Sequence, residues 1–413
     1  MANIALIACT KTKHDAPSRA QLLYNSPLYR KSLLYALSTS ERHYILSAKH
    51  FLLDPEAVIS PYEKTIAKFS KREKNEWGTE VSIQLRRYVS PEDHLIMLCG
   101  REYYAPIVET IRLIGCKTSF PLLGLSLGNR LKELSHLNGE AELRSTFELF
   151  NRSMRRLYIG QDGGRLLGES TGRLNWPKRG VYFLIEPDEF LATRRYSPLL
   201  NRIGRIGTHA VSRGSKTTLW DRLSTHRGIT SGGGSHRSSI FRLHVGAALA
   251  AKHPARAVAT WGLGQVAPEG AHAAEIELER EVSRFMSQLR VLWLDVPDEP
   301  SPQSDRAFLE RNAIGLLSRY NVAFEKWSSK WLGYHSENLD IASSGLWNLN
   351  HLYLRPHADF MRVFDFYVGL TLGENPAPSA SIAPASWYGE KRRIDSGQLA
   401  LNLDGPKGSA TRS

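Results

Sequence analysis

The chain has 413 residues, 42% of them hydrophobic and 23% charged, which excludes wholesale disorder and leaves room for two or three domains with their own cores. A formal net charge of +13 points to polyanionic partners, nucleic acid ahead of a membrane surface. The three cysteines, Cys9, Cys99 and Cys116, exclude a disulfide framework, and no apolar run reads as a secretory signal or a membrane span, so a soluble cytoplasmic protein is expected.

Through about residue 135, short apolar runs alternate with helical stretches. "NIALIAC", "HYILSA", "HLIMLC" and "TSFPLL" read as buried strands, and "SPLYRKSLLYALS", "KREKNEWGTEVSIQLRRYV" and "YAPIVETIRLI" as helices. That order predicts an α/β domain over residues 1–135 with a mostly parallel sheet covered by helices. Ligands of such sheets collect beyond the carboxyl ends of the strands, where "CTKTK", "SAKHFLLDP" and "CGREYY" fall. Lys11, Lys13, Lys49 and Arg101 are expected to converge there, with Ser47, Tyr62 and Tyr103 nearby, in a crevice suited to a nucleotide or modified base. The alternative is a set of scattered surface lysines.

A helical and glycine-rich connector is expected over residues 136–172, then a second domain over 173–370. It starts with the strand "RGVYFLIEP" and continues through strand-like "RIGRIG" and a helix carrying Arg222 and His226. Further helices are expected near Ala271 to Gln288 and Ser304 to Arg319. Residues 371–413, rich in Pro, Ser, Ala and Gly, read as a flexible tail.

Between Asn201 and Arg256 ten Lys or Arg residues face one acid, Asp221, so this segment is where nucleic acid is expected to bind. Arg213, Lys216, Arg227, Arg237 and Arg242 are the expected contacts, against the alternative of a solvated basic surface. Arg222 and His226 lie on one side of their helix with Leu219 and Leu223, which turns them toward the protein. An arginine so placed either pairs with an acid or offers its planar fork to a phosphate. Glu310 is the one charge on a stripe formed with Ala307, Ile314 and Leu317, so it needs a metal ion or an arginine to offset its desolvation. Asn321 is expected just past the end of that helix.

Taken together, Gly180-Val181-Tyr182, Arg205-Ile206-Gly207, Arg222, His226, Glu310 and Asn321 resemble the motifs of the GIY-YIG nuclease family, over roughly residues 178–321. The resemblance implies an α+β nuclease domain that cleaves phosphodiester bonds. In the implied scheme Tyr182, helped by His226, takes or relays a proton, and Arg222 neutralises the phosphoryl oxygens. Glu310 holds one Mg2+ or Mn2+, and Asn321 orients Glu310 or the phosphate. Arg205 stands where the family has its second tyrosine, and the gaps from Tyr182 to Arg205 and from Arg222 to Glu310 imply insertions. "GSHRSSIFRLHVGAAL" falls in the second gap without an assigned role.

The first 135 residues are similar to an uncharacterised bacterial α/β domain family marked by "CTKTK", "YILSAKHFLLDP", "PYEKT" and "PLLGLSLGNRL". Their start also resembles domains of deazaguanine tRNA modification, which implies recognition of a nucleobase. The expected function is an endonuclease acting on DNA, double-stranded first of all, in defence against foreign or modified DNA. Alternatives are base excision coupled to strand cleavage, or a nucleic-acid-binding protein whose nuclease fold lost activity with its second tyrosine. Expected partners are nucleic acid and a first-domain ligand, with room for a homo-oligomer and none for a membrane.

Overall fold

The computed structural model of the protein describes residues 2–186, 202–264, 266, 269–325 and 329–388. The first domain is built on strands β1 (Asn3–Ala8), β2 (Arg42–Ser47), β3 (Phe51–Leu53), β4 (His94–Leu98) and β5 (Lys117–Ser119), in the order β3-β2-β1-β4-β5. Only β3 is antiparallel to its neighbour, so the expected mostly parallel sheet is found. Helices α1 (Pro27–Thr39) and α2 (Lys71–Tyr88) make the crossovers, each started by its own sequence signal. Ser26 caps α1 with Pro27 at its first position, and Ser70 and Glu73 form a reciprocal capping box on α2. The chain leaves β1 toward β2 on one side and returns as β4 on the other, which opens a crevice beyond β1 and β4. The expected strand "TSFPLL" is shorter than read: it ends at Ser119, because Pro121 has no N–H for a ladder and the chain turns there. Short α3 (Val108–Ile114) and α4 (Leu127–Leu137) complete this part.

The second part is an antiparallel sheet of β6 (Arg165–Leu166), β7 (Gly180–Ile185), β8 (Ile203–Gly207) and β9 (Arg290–Asp295), ordered β8-β7-β9-β6. All six residues of β7 are buried, because both faces of the sheet are covered. Val181, Phe183 and Ile185 face α5 (Glu140–Gly160), α9 (Asp305–Phe324) and α10 (Phe360–Thr371). Tyr182 and Leu184 face the other layer, α6 (Leu219–Arg227), α7 (Ile240–Lys252) and α8 (Ala271–Gln288). Residues of the expected connector take part in this packing: Phe147 on α5 stacks on Tyr320 of α9 at 3.4 Å between centroids, and β6 pairs with β9.

Helix α9 differs most from its sequence reading. Sixteen of its residues are buried, including Asp305, Arg306, Arg311 and Arg319, so it has no solvent face and no single apolar stripe. Glu310 is among its less buried positions. The helix also runs on to Phe324, so Asn321 lies inside its last turn rather than past its end. Packing against both parts explains this: α1 of the first domain delivers Arg30 to the carbonyls of Asn321, Val322 and Glu325, and Arg319 bonds Ser38 and the Asn138 carbonyl. One continuous apolar core includes Ile4 and Leu33 of the first domain and Phe183 and Ile314 of the second.

The expected flexible tail is packed at least through Tyr388. Ser381, Ile382 and Ala383 all donate to the Asp305 carboxylate, which also receives the Tyr367 hydroxyl at 2.6 Å, and Trp387 is buried against Phe308. A buried carboxylate with that many donors holds the segment in place. Residues 389–413 lie outside the described residues.

Candidate active site

Tyr182 and His226 meet in the layer between β7 and α6. The Tyr182 hydroxyl lies 2.8 Å from Nε2 of His226, and both side chains are fully buried. Thr218 and Asp221 cap α6 reciprocally, which fixes its start and so the helical phase that turns His226 inward. Burial holds the His226 imidazole well below its usual pKa, and the positive fields of Arg205, Arg222 and Arg242 add to this, so the ring is neutral. Its Nδ1 lies 2.8 Å from the hydroxyl of Ser239, the residue that caps α7.

Arg222 is half-buried on the same helix, and its guanidinium has no ion pair or hydrogen bond among the described residues. Of the two readings open to it, pairing with an acid is therefore not realised, and its fork remains available to an anion. Arg205, in place of the second tyrosine, is buried: it donates to the Trp347 carbonyl at 2.5 Å and lies over the Phe241 ring. Its charge bears on His226 and His244, so it shapes the field of the site from within.

Glu310 reaches the same end of the sheet from the opposite face. Its Oε1 accepts the Thr208 amide at 3.2 Å, directly after Gly207, and Gly207 lies against the Tyr182 hydroxyl. Arg306, one turn earlier on α9, fixes the chain that follows β8: it pairs with Asp298 and donates to the carbonyls of His209 and Ala210. Asn321 does not join this group. Eleven residues along α9 place it about 16 Å from Glu310 at 1.5 Å per residue, and its side chain donates to the Ser344 carbonyl at 2.8 Å. The asparagine that does touch the motif strands is Asn348, which bonds both the amide and the carbonyl of Ile206.

The expected nucleic-acid contacts divide. Arg213 and Lys216 are exposed on the loop between β8 and α6. Arg227, Arg237 and Arg242 are committed to the interior. Arg237 grips Glu275 through both terminal nitrogens, at 2.6 and 2.8 Å, which holds that carboxyl below its usual range. Arg242, without exposure, pairs with Glu279 and donates to the carbonyls of His226 and Arg227. Arg227 bonds the Ser170 carbonyl and lies over Trp220. The acids that receive Arg237 and Arg242 come from α8, beyond the segment in which basic residues dominate, so charge counted along the sequence overstated the free positive surface.

In the first domain a cleft of about 390 Å³ opens beyond β1, lined by Cys9, Lys11, Lys13, Lys64, Lys68 and Tyr103 among others. Lys13 lies 4.3 Å from the Tyr62 ring centroid and Lys49 5.6 Å from it. Ser47 is turned inward: its hydroxyl bonds Tyr62 at 2.8 Å and receives the amides of Lys49 and His50. Arg101 is exposed at the start of a short helix and does not line the cleft. The sequence reading thus found two of the cleft's four lysines and missed Lys64, which lies within "PYEKT", and Lys68, just after it. It also missed Ser239 and Asn348, although a serine before the apolar run "IFRLHV" is a recognisable cap signal.

No helix among the described residues is long and apolar enough to cross a membrane. The curated proteins and the solved structures hold no match to the chain. A family of unknown function, DUF6884, matches residues 4–136, the domain with the lysine-lined cleft. The GIY-YIG domain matches residues 141–372, a span that starts with α5 and holds Tyr182, His226, Arg222 and Glu310 in the order and proximity just described. Since that span is more than half of the chain, the protein belongs to the GIY-YIG domain family, with the nuclease-like function in general that this membership carries.

Proposed function

We propose that the protein is a metal-dependent endonuclease that hydrolyses phosphodiester bonds of DNA. The observation that carries this is the meeting at one end of the sheet of the hydrogen-bonded Tyr182–His226 pair, an arginine with no acid partner and the carboxylate of Glu310. Water attacks phosphorus, a new P–O bond forms as the bond to the leaving oxygen breaks, the water's proton passes to a Tyr182 oxygen that has given up its own, and the leaving oxygen takes a proton from solvent. Arg222 offsets the charge that builds on the phosphoryl oxygens.

Among the described residues no group of three or more His, Cys, Asp and Glu could hold a metal ion. A single hard carboxylate, steadied by the Thr208 amide, fits an ion that keeps most of its waters and takes its other ligands from substrate phosphate, as Mg2+ or Mn2+ does. Bound at Glu310, such an ion supplies positive charge beside the leaving oxygen. Incubating the purified protein with supercoiled plasmids of unmodified and modified base composition, with Mg2+ or Mn2+, tests the reading: nicking supports it, and intact plasmid in every condition removes it.

One observation favours a second reading, a nucleic-acid binder that does not cut: Tyr182 and His226 have no solvent exposure, so substrate water reaches the hydroxyl only if the surrounding surface opens. For the first domain, the cleft's lysines and the aromatic faces of Phe69 and Tyr103 support a phosphate-bearing nucleotide or modified base as ligand. A protein with both sites suits defence against foreign or modified DNA in the cytoplasm.

A further inference from the structure

Ser239 lies outside the motifs that carry the family, in the long insertion between Arg222 and Glu310. Its side chain is buried and meets two groups: the Arg242 amide, 3.3 Å away, and Nδ1 of His226, 2.8 Å away. An amide can only donate, so toward Arg242 the serine oxygen is the acceptor. The hydroxyl proton then needs an acceptor of its own, because a buried donor left without one costs about 1–3 kcal/mol. The acceptor the structure offers it among the described residues is Nδ1 of His226. Nδ1 must then carry the lone pair and Nε2 the ring proton, aimed at the Tyr182 oxygen 2.8 Å away.

We propose that Ser239 is a positioning residue that fixes His226 as the Nε2–H tautomer, so that the imidazole donates to Tyr182 instead of accepting its proton. The tyrosine's own proton is thereby left for a partner other than His226. Charged and titratable groups face this pair from every side: Arg205 from β8, Arg222 from α6, and Arg242 from α7 with Glu279 of α8 as its counter-ion. Three positive charges and burial keep a second proton off the ring, so the tautomer is the relevant choice. If the nuclease reading holds, on which this consequence rests, Tyr182 accepts the water's proton while His226 stays neutral throughout.

Imidazole nitrogen–proton correlation spectra of the 15N-labelled full chain, without metal or nucleic acid, test the assignment between pH 6 and 9. The expected His226 pattern is a protonated Nε2 and an unprotonated Nδ1. Ser239→Ala should give a mixed pattern, with a protonated Nδ1 appearing beside the protonated Nε2. Ser239→Thr, which keeps the hydroxyl, should restore the single pattern. A protonated Nδ1 in the unaltered protein, or an unchanged pattern in Ser239→Ala, overturns the proposal. Should Ser239→Ala fail to fold, the unaltered protein and Ser239→Thr still decide it. The spectra need no turnover, so intact plasmid with the expected tautomer sinks the nuclease reading alone, and nicking with a protonated Nδ1 sinks the Ser239 assignment alone.

Discussion

Gly207 and Tyr182 are register partners on neighbouring strands, and the bare α-carbon of the glycine lies directly against the tyrosine hydroxyl. A Cβ at 207 would overlap that hydroxyl, and the ring is fully buried. Gly207→Ala should therefore push Tyr182 off His226 and cost about 1–3 kcal/mol through overpacking. Cleavage should fall further than the drop in unfolding temperature explains. A fully active Gly207→Ala protein would show that the Tyr182–His226 bond is not used.

Arg222 and Arg242 are expected to give opposite phenotypes. Arg222 has no acid partner, so Arg222→Ala should leave stability within about 0.5 kcal/mol while cleavage falls about 10²–10³-fold. Arg242→Ala leaves Glu279 buried without its guanidinium partner and should cost about 3–5 kcal/mol. Denaturant unfolding and plasmid nicking, measured on the same preparations, separate the two.

Glu310→Gln keeps the side chain's shape and its acceptor for the Thr208 amide but removes the charge. Divalent-dependent nicking should be lost with DNA affinity largely retained. Nicking at the unaltered rate in Glu310→Gln would refute the metal assignment.

Acid should destabilise the protein through its histidines. Burial pushes His43 down to about 4, and burial with Arg306 nearby does the same to His209, while His226 lies well below its usual value. From pH 6.5 down to about 4 the unfolded chain takes protons that the folded chain refuses, so stability falls as pH falls through that window. Asp295, Asp298 and Asp340, raised by burial, act in the opposite sense, and their share is common to variants that keep them. His43, whose Nε2 is buried without a hydrogen bond, isolates one proton: the unfolding temperature of His43→Leu should drop less between pH 7 and pH 5 than that of the unaltered protein. Equal drops would contradict the assignment.

Salt should weaken DNA binding through few residues. Arg213→Ala and Lys216→Ala should each flatten the slope of log affinity against log salt by about 1, the value for one phosphate contact. Arg237→Ala should leave the slope alone and lower stability instead, since its guanidinium is bound to Glu275. An Arg237→Ala slope change without destabilisation would reverse this division.

Where sequence and structure agree, the determining signal is local. The capping residues Ser26, Ser70, Thr218 and Ser304 and the apolar runs of β1, β2, β4 and β7 place the elements, and the motif order places Tyr182, His226 and Glu310 near one another. What was not legible depends on partners distant along the chain. Arg237 and Arg242 read as surface charge because their carboxylates lie 38 and 37 residues away. Asn321 read as lying past the helix end because spacing along the chain does not reveal how far α9 continues, and its last turn, through Phe324, meets Arg30 of the first domain. Ser239 and Asn348 act through bonds to a ring nitrogen and a strand edge that no periodicity signals.

The contact of Arg30 with the last turn of α9 ties the first part of the chain to the second. The helix that positions Glu310 ends on a guanidinium from the first domain, and its flanks complete the first domain's own core. Removing residues 2–137 would strip the carbonyls of Asn321, Val322 and Glu325 of their donor and bare apolar surface along α9, so a truncated second half is expected to be insoluble rather than merely unregulated. Whatever occupies the cleft beyond β1 sits in the part of the chain that also caps the helix carrying the carboxylate.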